Sequence, residues 1–286
     1  MFLDGVGLGA TDPAVNPFAA AKTPFLASLL GGPLTTERKP IARPDLHFQP
    51  LSATLSHPGL PQSATGQTTL LTGLNGADIM RGHYGPWPGP TLKRTLDKGT
   101  IFSDVAGAGG RVVFANAFPP GYFRALAAKK QRVNVPVYAA QAAGVPLLTQ
   151  TDYDAGNALS ADLDGAYLGV PQPLHEAGVR LARLAAGADL TFFDFWLSDT
   201  AGHRWAFPES VTLVEKLEGF LEGLIPALGD VTLLVTSDHG NLEDKSTRSH
   251  TRNPVPLLAV GPQAAAFAEA ESLLDVAPAL RRVLAR

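Results

Sequence analysis

Cysteine is absent from this 286-residue chain, which excludes a disulfide framework, a thiolate metal site and a cysteine nucleophile together. Charge is sparse as well: Asp, Glu, Lys and Arg make up 17% of residues, and the net charge is -3. That balance leaves no basic face for nucleic acid, so no nucleic-acid scaffold binding is expected. No run of about 18 apolar residues occurs, so no membrane-spanning helix and no membrane partner are expected. The opening Met1-Phe2-Leu3-Asp4 lacks the basic and apolar regions of a signal peptide. The expected compartment is therefore the cytoplasm, although a first strand this short leaves open whether Met1 is the natural start.

Glycine (29 residues) and proline (24) are plentiful, and 45% of residues are hydrophobic. Without a repeat, such composition means many turns around an ordinary core, and loops are where chemistry concentrates. The strand candidates are short apolar runs: Phe2-Leu3, Val112 to Ala115, Leu190 to Leu197, Val231 to Thr236 and Pro256 to Val260. Helical spacing fills the segments between them, at Pro24 to Leu30, Thr68 to Leu74, Thr100 to Ala108, Pro173 to Ala186, Val211 to Leu228 and Ser272 to Leu284. Alternation of this kind predicts an α/β three-layer sandwich with a largely parallel central sheet, in one domain spanning 1–286. The proline-rich stretch from about 116 to 169 breaks the rhythm and is expected to be a small insertion or lid.

Ligands of open α/β sheets bind beyond the carboxyl ends of the strands. Asp4 follows the first strand, Asp199 follows the Leu190 run, and Asp238-His239 follow the Val231 run. Asp199 and His203 stand four apart and share a face if the chain there is helical. An Asp capping a helix near an unrelated His gives the same pattern. Asp238-His239-Gly240-Asn241 reads either as a site turn or as a polar Asx turn. Ser249-His250-Thr251 brings a third His just before the last strand, whereas His47, His57 and His175 lack such a setting. Ser63, at the start of a short helix ending near Gly73, is either a cap or a nucleophile facing free backbone N–H groups. No Gly-x-Ser-x-Gly elbow surrounds it, so activation would come from a metal.

Five segments together resemble the alkaline phosphatase superfamily, in the metalloenzyme branch of cofactor-independent phosphoglycerate mutase and phosphopentomutase. They are Asp4-Gly5-Val6-Gly7, Gln62-Ser63-Ala64-Thr65-Gly66, Asp199-Thr200-Ala201-Gly202-His203, Asp238-His239-Gly240-Asn241 and His250-Thr251-Arg252-Asn253-Pro254-Val255-Pro256. The resemblance implies two divalent metal ions. One would be held by Asp4, Ser63, Asp238 and His239, the other by Asp199, His203 and His250. It also implies Ser63 rather than Thr65 as nucleophile, because related phosphodiesterases and sulfatases place it ten residues before the glycine of a Leu-(Leu/Val)-Thr-Gly segment, here Gly73. Oxygen and nitrogen ligands without sulfur suit zinc, manganese or a mixed pair. Arg81 and His83 are either substrate contacts or part of a solvent-exposed turn.

The expected reaction is phosphoryl transfer from a small-molecule phosphate ester through a phosphoserine, resolved by water or by a second alcohol. Family mutases retain their intermediate under a substantial second domain. Most residues between Ser63 and Asp199 must build sheet and helices here, which favours a phosphomonoesterase or phosphodiesterase over a mutase. A non-catalytic metal- or anion-binding member of the fold would be expected to lack a ligand, and every position is filled.

Overall fold

A computed structural model describes residues 1–285. Among the described residues nine short strands form: β1 (Phe2–Leu3), β2 (Ile41–Ala42), β3 (Leu46–Leu51), β4 (Val112–Phe118), β5 (Leu147–Thr149), β6 (Leu190–Phe192), β7 (Asp194–Phe195), β8 (Leu233–Thr236) and β9 (Val255–Val260). They join in the orders β2-β3-β9-β8-β1-β7 and β5-β4-β6. The Leu190 run, expected as one strand, divides at Phe193, whose carbonyl still accepts from Phe2 N at 2.8 Å. The two ladders therefore continue as one layer. In it β5, β4, β6/β7, β1 and β8 run parallel, while β9 opposes β8 and β3 opposes β9 in turn. The expected largely parallel α/β sheet is observed, with its antiparallel pairings confined to the β8–β9–β3–β2 side.

Successive strand side chains point to opposite faces, and both faces are covered. Leu3, Leu46, Phe48, Phe193, Phe195, Val235 and Leu258 pack with Leu26, Leu181, Leu217 and Phe220 from three helices on one side. These helices are Pro24–Leu30, Leu174–Ala186 and Phe207–Leu224. Phe2, Leu51, Leu257 and Ala259 face the other way, onto Leu70 and Val276. Leu71, Phe102 and Val137 enlarge that second side. This is the three-layer arrangement. Among the described residues no helix is long and apolar enough to cross a membrane.

Two features shape the site. The helix read from Thr68 to Leu74 by spacing, and from Ser63 to near Gly73 by its ends, runs from Ser63 to Thr72. Its hydroxyls hide its polarity, because Thr68, Thr69 and Thr72 donate to carbonyls four residues back at 2.6–2.8 Å. A helix built this way is buried on all sides without an apolar stripe. The 116–169 segment contributes the end of β4 and all of β5, and its Val135–Ala142 helix enters the same core as Leu71 and Phe102. Asn116 belongs to β4, fixed by exchanging 2.8 Å bonds with the main chain of Asp194. Much of the segment expected as a lid is thus built into the body.

Candidate metal centre

The carboxyl edge of the parallel strands gathers the seven residues expected to form the site. Asp4 leaves β1, Asp238 and His239 leave β8, and the helix Leu197–Arg204 after β7 carries Asp199 and His203 one turn apart. Because β9 runs the opposite way, His250, just before it, reaches the same edge. Ser63 opens its helix at the end of the loop from β3.

Within this edge, Ser63 Oγ lies 3.0 Å from His239 Nε2, which is 3.6 Å from Asp4 Oδ1 and 3.4 Å from Asp238 Oδ2. His203 Nε2 and His250 Nε2 stand 3.1 Å apart, at 3.4 and 3.6 Å from Asp199 Oδ1. The rings of His239 and His250 stack at 3.7 Å between centroids and join the two halves. Two groups have ligand atoms all within 4.8 Å of one another: Asp199, His203 and His250, and Asp4, Asp199 and His239. Asp199 therefore belongs to both groups, whereas the expected division gave it to one.

Each imidazole is oriented by the main chain. His203 Nδ1 donates to Arg248 O and His250 Nδ1 to Pro61 O, both at 2.7 Å, and His239 Nδ1 donates to Gly240 O at 3.4 Å. In the neutral ring this leaves Nε2 an acceptor. Several acceptors then converge, which is the arrangement a cation satisfies, with carbonyls behind the rings as outer-shell partners. The donors reaching the carboxylates are neutral. Gln67 Nε2 bridges Asp4 Oδ2 at 3.2 Å and Asp238 Oδ2 at 2.9 Å, Gly5 N donates to Asp238, and Asn241 Nδ2 donates to Asp199 at 2.6 Å.

Charge crowding appears in the acid–base behaviour. Burial, reinforced by Asp238, Asp199 and Asp194, pushes the Asp4 carboxyl well above its ordinary range. Burial and the Asp199 charge push Asp238 up to about 7, and burial with His250 nearby pushes His239 down to about 3. Each shift disfavours bare charge in a dry pocket. A cation would favour deprotonated carboxylates and neutral imidazoles.

The other candidates lie apart from this cluster. Thr65 Oγ1 donates to Gln62 O at 2.9 Å and accepts from Tyr84 N, so it is used within the first helical turn. Arg81 is exposed at the end of the helix Gly76–Met80. His83 sits edge-on to His57, 6.3 Å between centroids, and burial lowers its pKa. His57 pairs with Asp78 at 2.6 Å, His47 is buried on β3, and His175 is exposed.

Residues 176–284 match the model of the Metalloenzyme superfamily. A 2,3-bisphosphoglycerate-independent phosphoglycerate mutase of Pseudomonas entomophila is 34% identical over 105 residues, 34% of this chain and 20% of that protein. The Aliivibrio fischeri mutase is 37% identical over 91 residues, 29% and 18% of the two chains. A cold-active alkaline phosphatase from a psychrophilic Shewanella species shares the fold, with TM-score 0.59, 14% identity and coverage of 99% and 98%. The C-terminal part of the chain thus resembles the Metalloenzyme superfamily, and the chain as a whole shares the alkaline phosphatase fold. The match spans about a fifth of the length of these mutases. Another fold neighbour, the PH0037 protein of Pyrococcus horikoshii, has TM-score 0.57 at 12% identity, covering 99% of this chain and 96% of its own.

The sequence assigned no role to Gln67 or Asp194. Gln67 follows Ser63 by one helical turn, a spacing that could have suggested it. Asp194 interrupts an apolar run, where a lone buried acid is itself a signal. It accepts from Asn134 Nδ2 at 2.8 Å, and burial pushes its pKa up to about 7.

Proposed function

We propose that the chain is a two-metal phosphohydrolase acting on small-molecule phosphate monoesters or diesters through a phosphoserine at Ser63. Zinc or manganese would be held by Asp4, Ser63, Asp238 and His239 and by Asp199, His203 and His250, with Asp199 near both ions. The observation that carries this reading is the position of Ser63 Oγ, 3.0 Å from His239 Nε2 and on the first residue of a ten-residue helix. When bound, two cations neutralise a phosphate ester and stabilise the entering and leaving oxygens of an in-line displacement. Ser63 Oγ bonds to phosphorus as the ester P–O bond breaks, and the alcohol departs with the proton that Ser63 loses. The helix N-terminus favours the phosphoryl charge. Water then cleaves the phosphoserine, releasing phosphate and restoring the hydroxyl.

The competing reading is a phosphomutase, favoured by the partial likeness to phosphoglycerate mutases. Hydrolysis is preferred because much of 116–169 builds sheet and core, leaving little chain to enclose a turning substrate. The test is to assay metal-reconstituted protein on chromogenic phosphomonoester and phosphodiester substrates beside Ser63→Ala. Hydrolysis should fall by roughly a thousandfold or more in the variant, and intact mass of trapped wild type should gain one phosphate at Ser63. Undiminished turnover by Ser63→Ala refutes the phosphoserine. Phosphate exchange without hydrolysis assigns a mutase.

A further inference from the structure

Glu243 lies outside both groups of candidate ligands, yet it is 1% exposed and both its oxygens are occupied. Oε2 accepts from Gly7 N at 2.9 Å and from Asn241 N at 2.7 Å. Oε1 accepts from Asn253 Nδ2 at 3.0 Å and from Thr251 Oγ1. These four donors come from three separate loops. Gly7 is three residues beyond Asp4, Asn241 is two beyond His239, and Thr251 adjoins His250. Asn241 carries the connection further, since its side chain donates to Asp199.

The glycines of the two motifs fit the same carboxyl group. A Cβ at Gly7 or at Gly240 would run into Glu243 Oε1, and at Gly240 also into Thr251 Oγ1. The loops after β1 and β8 are thus free of side chains where the Glu243 carboxyl group fits between them.

We propose that Glu243 is the positioning residue of the centre: its carboxyl group locks the Asp4, His239 and His250 loops in the register that brings their ligand atoms together. The proposal rests on the two-metal reading for its consequence and on the four hydrogen bonds for its geometry. Outer-shell groups of this kind typically change metal affinity by about 10–100-fold. Main-chain bonds also join the loops, from Leu242 N to Gly5 O, Leu8 N to Pro254 O and Thr251 N to Gly240 O. These keep the loops near one another when the carboxyl group is removed, so the fold should survive.

The test compares wild type, Glu243→Ala, Glu243→Gln and Thr251→Val. In metal-free protein, hydrogen exchange should quicken at least tenfold in Glu243→Ala across 5–9, 239–244 and 249–253 together. Glu243→Gln should restore most protection, and Thr251→Val should loosen mainly 249–253. Faster exchange confined to 239–244 overturns the proposal. Calorimetric titration with manganese should then show affinity reduced by about 10–100-fold in Glu243→Ala. Excess metal should recover kcat with KM unchanged. Wild-type manganese affinity in a folded Glu243→Ala also overturns the proposal. Should Glu243→Ala not fold, Thr251→Val decides: faster exchange mainly at 249–253 supports the lock, and wild-type exchange there overturns it. If wild type itself takes up neither manganese nor zinc, the two-metal reading fails, and the exchange pattern alone decides whether Glu243 locks the loops.

Discussion

His203 and His250 turn their Nε2 atoms toward each other at 3.1 Å while each donates its Nδ1 proton to a main-chain carbonyl. Two lone pairs at that distance, with Asp199 Oδ1 beside them, call for a positive charge. Chelator-treated protein should therefore gain stability on adding zinc or manganese. At free metal one hundred times the dissociation constant the gain is about 2.7 kcal/mol per site. Scanning calorimetry reads the shift, and elemental analysis should find two ions per chain in wild type and one in His203→Ala. An unchanged melting temperature in metal would refute this pair as metal ligands.

Gln67 is the neutral bridge between Asp4 and Asp238, with one amide nitrogen serving both carboxyl groups. Replacing it by Leu keeps similar bulk and removes the donor. Metal-free Gln67→Leu should lose about 1–3 kcal/mol, the usual cost of leaving buried acceptors unpaired. Urea unfolding in chelator measures it. Stability equal to wild type would show that the amide contributes nothing to holding the pair.

The candidate ligands were legible because each stands where an apolar run ends: Asp4 after Leu3, Asp199 after the Leu190 run, Asp238 after Thr236. A parallel sheet converts those endings into one edge. His250 needed more, since only the reversed direction of β9 brings it there. β3 escaped notice because His47, Gln49 and Pro50 interrupt its apolar residues, although it lies between β2 and β9. The Ser63 helix was legible from its ends, at Ser63 and Gly73, rather than from an apolar face. Its Thr hydroxyls are satisfied by the helix's own carbonyls, so burial left no apolar stripe to read. Sharing of Asp199 between two groups depends on distances that spacing alone does not encode.

The helices Leu174–Ala186 and Phe207–Leu224 approach closely at Gly178, where a Cβ would strike Phe220 O and come within 2.5 Å of Leu224 N. Ala is the better helix former by about 1 kcal/mol, but here the backbone contact dominates. Gly178→Ala should destabilise by about 1–3 kcal/mol, as overpacking does. Gly219 makes the contrast, because its added Cβ would meet only Leu174 side-chain atoms at 3.4–3.5 Å. Gly219→Ala should be neutral or stabilising by up to about 1 kcal/mol. The denaturant midpoint of Gly178→Ala should fall and that of Gly219→Ala should not, and a fall in both would refute the packing account.

Asp194 lets a single acid be followed without altering a candidate metal ligand. Burial pushes its pKa up to about 7 from 3.8, the Asp238 charge adds to the rise, and the Asn134 amide opposes it. Between about pH 4 and pH 7 the folded chain keeps a proton that the unfolded chain releases. Stability contributed at this residue therefore falls as pH rises through that window, by up to about 4 kcal/mol at one pKa unit per 1.36 kcal/mol. Asparagine accepts from Asn134 as the carboxyl group does and does not titrate. In chelator, Asp194→Asn should match wild type near pH 4 and exceed it above pH 7. A difference constant across that range would mean that Asp194 is hydrated when charged, contrary to its 2% exposure.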